Sequence, residues 1–180
     1  TQIDYERQKM LFYDRIEDVN LTGYEAIPFE FGHGIPIPQF DITITLRNGD
    51  SFTGSILFDS GAGLTLLINT PYNEKYQLNR RVVKSLMEES ENLHGRSSSE
   101  RIAISSINIH GYELDDLTVA ISHDQEGVSS YEDYLGILGS EIISKFNVVL
   151  DYSASLLYLK PNSTFNEPFD FPLSGIKLKK

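Results

Sequence analysis

The sequence contains no cysteine and no tryptophan, and only 2 methionines and 7 prolines in 180 residues. Without cysteine there is no disulfide framework, no thiolate metal site and no thiol nucleophile. The redox compartment stays open, because reducing and oxidising environments both tolerate such chains. Positive charge is also scarce: 15 Lys and Arg stand against 26 Asp and Glu, a formal net charge of −11. A chain of this charge repels phosphate backbones, which argues against a nucleic-acid partner. The densest basic cluster, Arg80, Arg81 and Lys84, is soon followed by Glu88 and Glu89 and reads as solvated surface. No hydrophobic run approaches the roughly 20 residues that cross a bilayer. Thr1-Gln2-Ile3-Asp4 has neither the basic nor the apolar region of a signal peptide. His33, His94, His110 and His123 lack the i, i+4 spacing of helical metal ligands, so no metal site is expected. A serine-hydrolase elbow, a phosphate loop and a dinucleotide fingerprint are missing as well.

What remains is ordinary globular material, 40% hydrophobic and 23% charged, enough for one domain with a sizeable core. Its grammar is mostly β. Phe40 to Leu46 alternates apolar and polar residues, Arg47-Asn48-Gly49-Asp50 turns, and Ser51 to Phe58 returns. A second pair runs from Arg101 to Ile109, turns at His110-Gly111, and returns from Leu114 to Ile121. A short helix capped by Ser140 is expected over Glu141 to Lys145. The stretch Gln77 to Asn92 suits a helical stripe through Leu78, Val82 and Leu86, and equally an extended strand. Proline-rich and glycine-rich connections bracket a core of about residues 37 to 160.

One internal repeat stands out. Ile3-Asp4-Tyr5 followed by Met10-Leu11-Phe12-Tyr13 matches Leu150-Asp151-Tyr152 followed by Leu157-Tyr158-Leu159, at an offset of 151 − 4 = 147 residues. Two readings stand: a coincidence among β-hairpins, or the tail of an earlier, homologous unit at residues 1–20.

The chemistry lies in Ile56-Leu57-Phe58-Asp59-Ser60-Gly61-Ala62-Gly63. An apolar strand that ends in an acid is costly unless the charge is hydrogen-bonded, and the amides of a Ser60-Gly61-Ala62 turn are placed to supply those bonds. Gly61 allows a close approach that a side chain would block. The tripeptide alone recurs by chance, but its place after three apolar residues and before Ala62 is more specific.

Together with Ile137-Leu138-Gly139, this segment resembles the retropepsin and pepsin superfamily of aspartic proteases. Lobes of that family carry hydrophobic-hydrophobic-Asp-Thr/Ser-Gly-Ala/Ser and, later, hydrophobic-hydrophobic-Gly. The resemblance implies an all-β, retropepsin-like closed barrel lobe over residues 21–162, with one or two short helices. It implies that Ile137-Leu138-Gly139 threads beside the Asp59 turn in a ψ-shaped arrangement, that Asp59 is catalytic, and that Ser60, Gly61 and Ala62 support the turn. Ser60 would brace the opposite lobe's turn through its hydroxyl. Gly95, Arg96 and Ser97 would belong to the flap, although family flaps are often richer in glycine. In the family, two aspartates about 3 Å apart share one proton; the acid polarises the peptide carbonyl while the carboxylate activates water, without a cofactor. That mechanism is taken over from the family, not deduced from these residues.

No other aspartate here is followed by Ser/Thr-Gly. The second acid must come from an upstream homologous lobe or from a homodimer partner. The repeat favours the upstream lobe, making this the C-terminal lobe of a bacterial two-lobed enzyme, periplasmic or cell-envelope by resemblance. Phe169 to Leu178, within residues 163–180, resembles a linker into a PDZ-like domain, and a basic tail reads as well. The expected partner is a peptide or protein substrate. The competing expectation is a retropepsin-like peptide-binding or assembly module that cleaves nothing.

Overall fold

The computed structural model describes residues 1–32, 36–81, 85–92 and 95–169. His33, Lys84, His94 and the stretch 170–180, which carries most of the expected linker, lie outside these residues. The chain runs through β1 (Gln2–Asp4), β2 (Lys9–Leu11), β3 (Glu25–Pro28), β4 (Gln39–Leu46), β5 (Ser51–Phe58) and β6 (Leu66–Ile68). Helix α1 (Thr70–Tyr76) follows, then β7 (Ser85–Asn92), β8 (Gly95–Ile109), β9 (Tyr112–Asp115) and β10 (Thr118–Ser122). The last elements are β11 (Gly136–Leu138), α2 (Ser140–Ile143), β12 (Phe146–Asp151) and β13 (Leu156–Pro161).

Six strands close into a barrel in the order β10-β6-β11-β5-β4-β8, because β8 pairs back onto β10. Closure removes the open edges that an isolated sheet would present. The alternation read in the sequence sets the inward face: Phe40, Ile42, Ile44 and Leu46 of β4 are buried, as are Ile102, Ile104, Ile107 and Ile109 of β8. Each such side chain contributes about 1.5–3 kcal/mol on leaving water. The two isoleucine pairs of β8 are out of phase by one residue. A strand has a period of two, so they share the interior only if one residue is bulged between them. The register steps there: Thr45 faces Ser106, whereas Leu46 faces Ile104, leaving Ser105 unpaired on that side.

The bulge also explains a departure from the expected single return strand. Leu114 to Ile121 divides into β9, which pairs with Ser106 to Ile109, and β10, which pairs with Ser99 to Ala103. Between them Asp116 takes φ 53°, and its N–H donates to the Ser105 carbonyl at 2.7 Å. The return strand thus steps around the bulge.

The ambiguous stretch Gln77 to Asn92 is not a long helix: Gln77 ends α1 with φ 51°, a 3-10 turn spans Leu78–Arg80, and β7 is extended. α1 itself carries no strong apolar stripe and was not anticipated. α2 is shorter than expected, and Gly139, not Ser140, is its N-cap. The Ser140 hydroxyl is committed elsewhere, donating to the Ala62 carbonyl at 2.9 Å.

The second sheet, β2-β1-β12-β13-β3, contains both copies of the repeat. Their correspondence extends to register. Ile3 faces Met10 and Asp4 faces Lys9, while 147 residues later Leu150 faces Leu157 and Asp151 faces Leu156. Gln8 has φ 54° and its counterpart Ser155 φ 53°. Asp4 Oδ1 accepts the Arg7 N–H at 2.9 Å, and Asp151 Oδ1 accepts that of Ala154 at 3.2 Å. The hairpins meet through β1 and β12, where Gln2 faces its own counterpart Val149 and Ile3 faces Val148. That pairing maps onto itself under the offset, so a local two-fold axis passes between Gln2 and Val149.

Candidate active site

Strand β5 enters the site through Ile56, Leu57 and Phe58, all buried, and delivers a half-buried Asp59 at its end. Ser60 and Gly61 then turn into solvent. The Gly61 N–H donates to Asp59 Oδ1 at 2.9 Å, and the Ala62 N–H donates to the Asp59 carbonyl at 3.3 Å. A carboxylate held by a backbone amide two residues on is fixed in orientation without a charged partner.

The turn rests on β11. This strand lies between β5 and β6, parallel to the first (Ile137 opposite Leu57, Leu138 opposite Phe58) and antiparallel to the second. The Asp59 N–H continues the ladder to the Leu138 carbonyl at 3.0 Å. After β11 the chain passes under the turn: Gly139 donates to Thr65 at 2.9 Å, Ser140 to Ala62 at 2.8 Å and Glu141 to Leu64 at 3.2 Å, all through backbone amides. Asp59, Gly61, Ala62 and Ile137, Leu138, Gly139 therefore form one hydrogen-bonded unit, with Ser60 exposed on its turn.

Two glycines make the threading possible. A Cβ on Gly139 would lie 2.2 Å from the Leu64 carbonyl oxygen, and one on Gly136 would lie 1.9 Å from that of Leu67. Sequence reading singled out Gly139 and missed Gly136, whose only signal was its place at the start of the Ile137-Leu138-Gly139 run.

Gly95, Arg96 and Ser97 open β8, where Gly95 faces Asn92 across the end of the β7–β8 hairpin. An aspartate that the sequence did not single out ties down this hairpin near its Asn92–Gly95 end. Asp124 accepts the Ser97 hydroxyl at 2.6 Å and the Ser98 N–H at 3.1 Å, and Thr70 donates to the Asp124 carbonyl at 2.8 Å. Next to it, His123 Nε2 lies 3.3 Å from Glu100 Oε2.

A cavity of about 500 Å³ opens elsewhere, bordered by Thr1, Tyr13, Ile16, Leu150, Asp151 and Tyr152. It does not include Asp59, whose turn has Ser60, Gly61 and Gly63 exposed. Among the described residues no cluster of His, Asp or Glu is arranged to hold a metal ion, and no helix is long and apolar enough to cross a membrane.

A comparison with solved structures matches a retropepsin-like aspartic protease from Rickettsia conorii, with TM-score 0.50 and 17% identity, over 76% of this chain and 98% of that one. The chain has a retropepsin-like fold. Since 76% of 180 residues accounts for 98% of the matched chain, that chain is itself roughly 140 residues long. Neither a scan against known protein families nor a search of curated proteins gives a match. At 17% identity the likeness establishes this retropepsin-like architecture and leaves the chemistry of Asp59 to be argued from geometry.

Proposed function

We propose that this chain is one lobe of an aspartic endopeptidase and that Asp59 is one of its two catalytic carboxylates. One observation carries the reading: the Asp59 carboxylate sits on an open turn, pinned by the Gly61 N–H and braced from below by the strand that ends in Leu138. With its mate about 3 Å away, the pair would share a proton. The ionised member would take a proton from the attacking water as the other donates to the carbonyl oxygen of an extended peptide. The Gly61 N–H would hold Asp59 in place as its protonation changes. The exposed Ser60 hydroxyl is free to reach across to the opposing turn, and the β7–β8 hairpin would lie along the substrate.

The mate would come from an upstream homologous lobe in the same polypeptide. In a symmetric pair of lobes, the edge of β12 next to the two-fold axis would receive the partner's β12. That edge is already taken by β1 of the same chain, in matching register. A second copy of this chain therefore finds the position filled, which argues against a homodimer built on that edge. On this reading the segment 1–20 begins with the closing hairpin of the first lobe, and 21–162 is the second.

The test is peptide cleavage by the polypeptide that includes the residues before Thr1, at mildly acidic pH, with and without a statine-type transition-state analogue. Asp59→Asn should lower kcat at least roughly a thousandfold with little change in melting temperature. Cleavage that survives this substitution would remove Asp59 from the mechanism. Undiminished peptide binding without any cleavage would favour the peptide-binding module instead.

A further inference from the structure

We infer that the open side of β2 is the unfinished edge of the first lobe's core, and that a strand homologous with β3, from that lobe where it precedes Thr1 in the same polypeptide, covers it. The inference rests on the two-lobe reading above and adds to it a surface, a register and two anchor residues. At the 147-residue offset, Met10 corresponds to Leu157 and Phe12 to Leu159. The two copies share their hairpin register, the left-handed residue in the turn and the aspartate that closes it. Their environments differ completely. Leu157 and Leu159 are 0% and 2% exposed, whereas Met10 and Phe12 are 57% and 76% exposed.

The difference has a structural source. β13 lies between β12 and β3, with Leu157 opposite Ile27 and Leu159 opposite Glu25. Among the described residues β2 pairs with β1 alone. An edge strand that presents unpaired amides beside a methionine and a phenylalanine invites association, and proteins rarely leave one uncovered. Carrying the register of β13 and β3 across the two-fold axis specifies the occupant. It is an antiparallel strand with an Ile27-like residue opposite Met10, backed by apolar side chains that enclose Met10 and Phe12. A second copy of this chain does not provide it in this register, because the edge of its own β3 that would pair here is already held by β13.

Hydrogen–deuterium exchange on the polypeptide carrying the residues upstream of Thr1 tests this directly. Amides of residues 9–12 should exchange at least roughly tenfold more slowly than in the Thr1–Lys180 chain, approaching those of residues 156–159. The double variant Met10→Ser, Phe12→Ser should lose that protection, and the milder Phe12→Leu should retain most of it. Protection of residues 9–12 that is absent in the longer polypeptide, or unaffected by the double variant, would overturn the inference. So would protection that rises with protein concentration, since the occupant would then be a second copy. The readout is independent of catalysis. Loss of cleavage in Asp59→Asn with exposed Met10 and Phe12 sinks this inference alone, and full protection without any cleavage sinks the protease reading alone.

Discussion

Replacing Gly139 by alanine adds one methyl group at the point where β11 passes beneath the Asp59 turn. The backbone there has φ −101° and ψ 176°, extended values that alanine adopts freely, so any cost is steric. The new Cβ would lie 2.2 Å from the Leu64 carbonyl oxygen and 2.8 Å from that of Ala62. Relief requires the turn to move away by roughly 1 Å, because carbon and oxygen without a bond between them approach little closer than about 3.2 Å. The same movement stretches the bonds that Ser140 and Glu141 donate to Ala62 and Leu64. Overpacking alone costs about 1–3 kcal/mol, and each weakened bond adds about 0.5–1.5 kcal/mol. A total of about 3 kcal/mol corresponds to a melting temperature lower by about 6–12 °C in a domain of this size. Gly63→Ala is the control, since nothing lies within 4 Å of its added Cβ. It should lie between no change and about 1 kcal/mol of stabilisation. Urea or thermal denaturation of both variants decides the matter. If Gly139→Ala unfolds within about 0.5 kcal/mol of Gly63→Ala, the turn is not packed on β11 as described.

Other outcomes follow from the same contacts. Hydrogen bonds from the Ser153 hydroxyl and from the Ala154 and Ser153 amides hold the Asp151 carboxyl below its usual range. A depressed carboxyl pKa means that its stabilisation is complete above the ordinary value of 3.8 and is lost as pH falls through the lower folded value. Asp151→Asn should therefore flatten the acid limb of the stability–pH curve below about pH 4, and a carboxyl titration by NMR checks the direction. Lys145 is buried and donates to the Thr164 and Glu167 carbonyls at 3.0 and 2.7 Å, with its ammonium 4.5 Å from the Phe169 ring centroid. Lys145→Met should lower stability by roughly 2–4 kcal/mol and open residues 163–169 to proteolysis. Unchanged proteolysis would remove its role as the clamp on that segment. Asn69 is wholly buried and donates to the Tyr131 and Tyr134 carbonyls, each at 3.2 Å. Asn69→Ala should cost about 1–3 kcal/mol in a denaturation midpoint by leaving those acceptors without it.

Much of this architecture was written locally. Alternation in Phe40 to Leu46 and in Ile102 to Ile109 marks two inward faces because a strand turns its side chains over every second residue. An acid after Ile56-Leu57-Phe58, followed by Ser60-Gly61, marks a turn that exposes a carboxylate, and those neighbours suffice to specify it. The repeat at a 147-residue offset was visible too, although a handful of similar residues does not separate coincidence from symmetry.

Tertiary structure decided the rest, for reasons no local pattern contains. Only the closed barrel shows that Gly136 and Gly139 lie under backbone carbonyls of Leu67 and Leu64, more than 60 residues earlier in the chain. The phase change in β8 became a bulge because β4 fixes which side is inside. Asp124 reaches Ser97 because barrel closure sets β10 against β8. The two-fold axis between Gln2 and Val149 is a property of pairing, which sets opposite each other residues that the chain separates by nearly its whole length. Sequence determined which residues turn, alternate and carry charge; packing determined which of them meet, because close approach depends on the whole enclosure and not on neighbours along the chain.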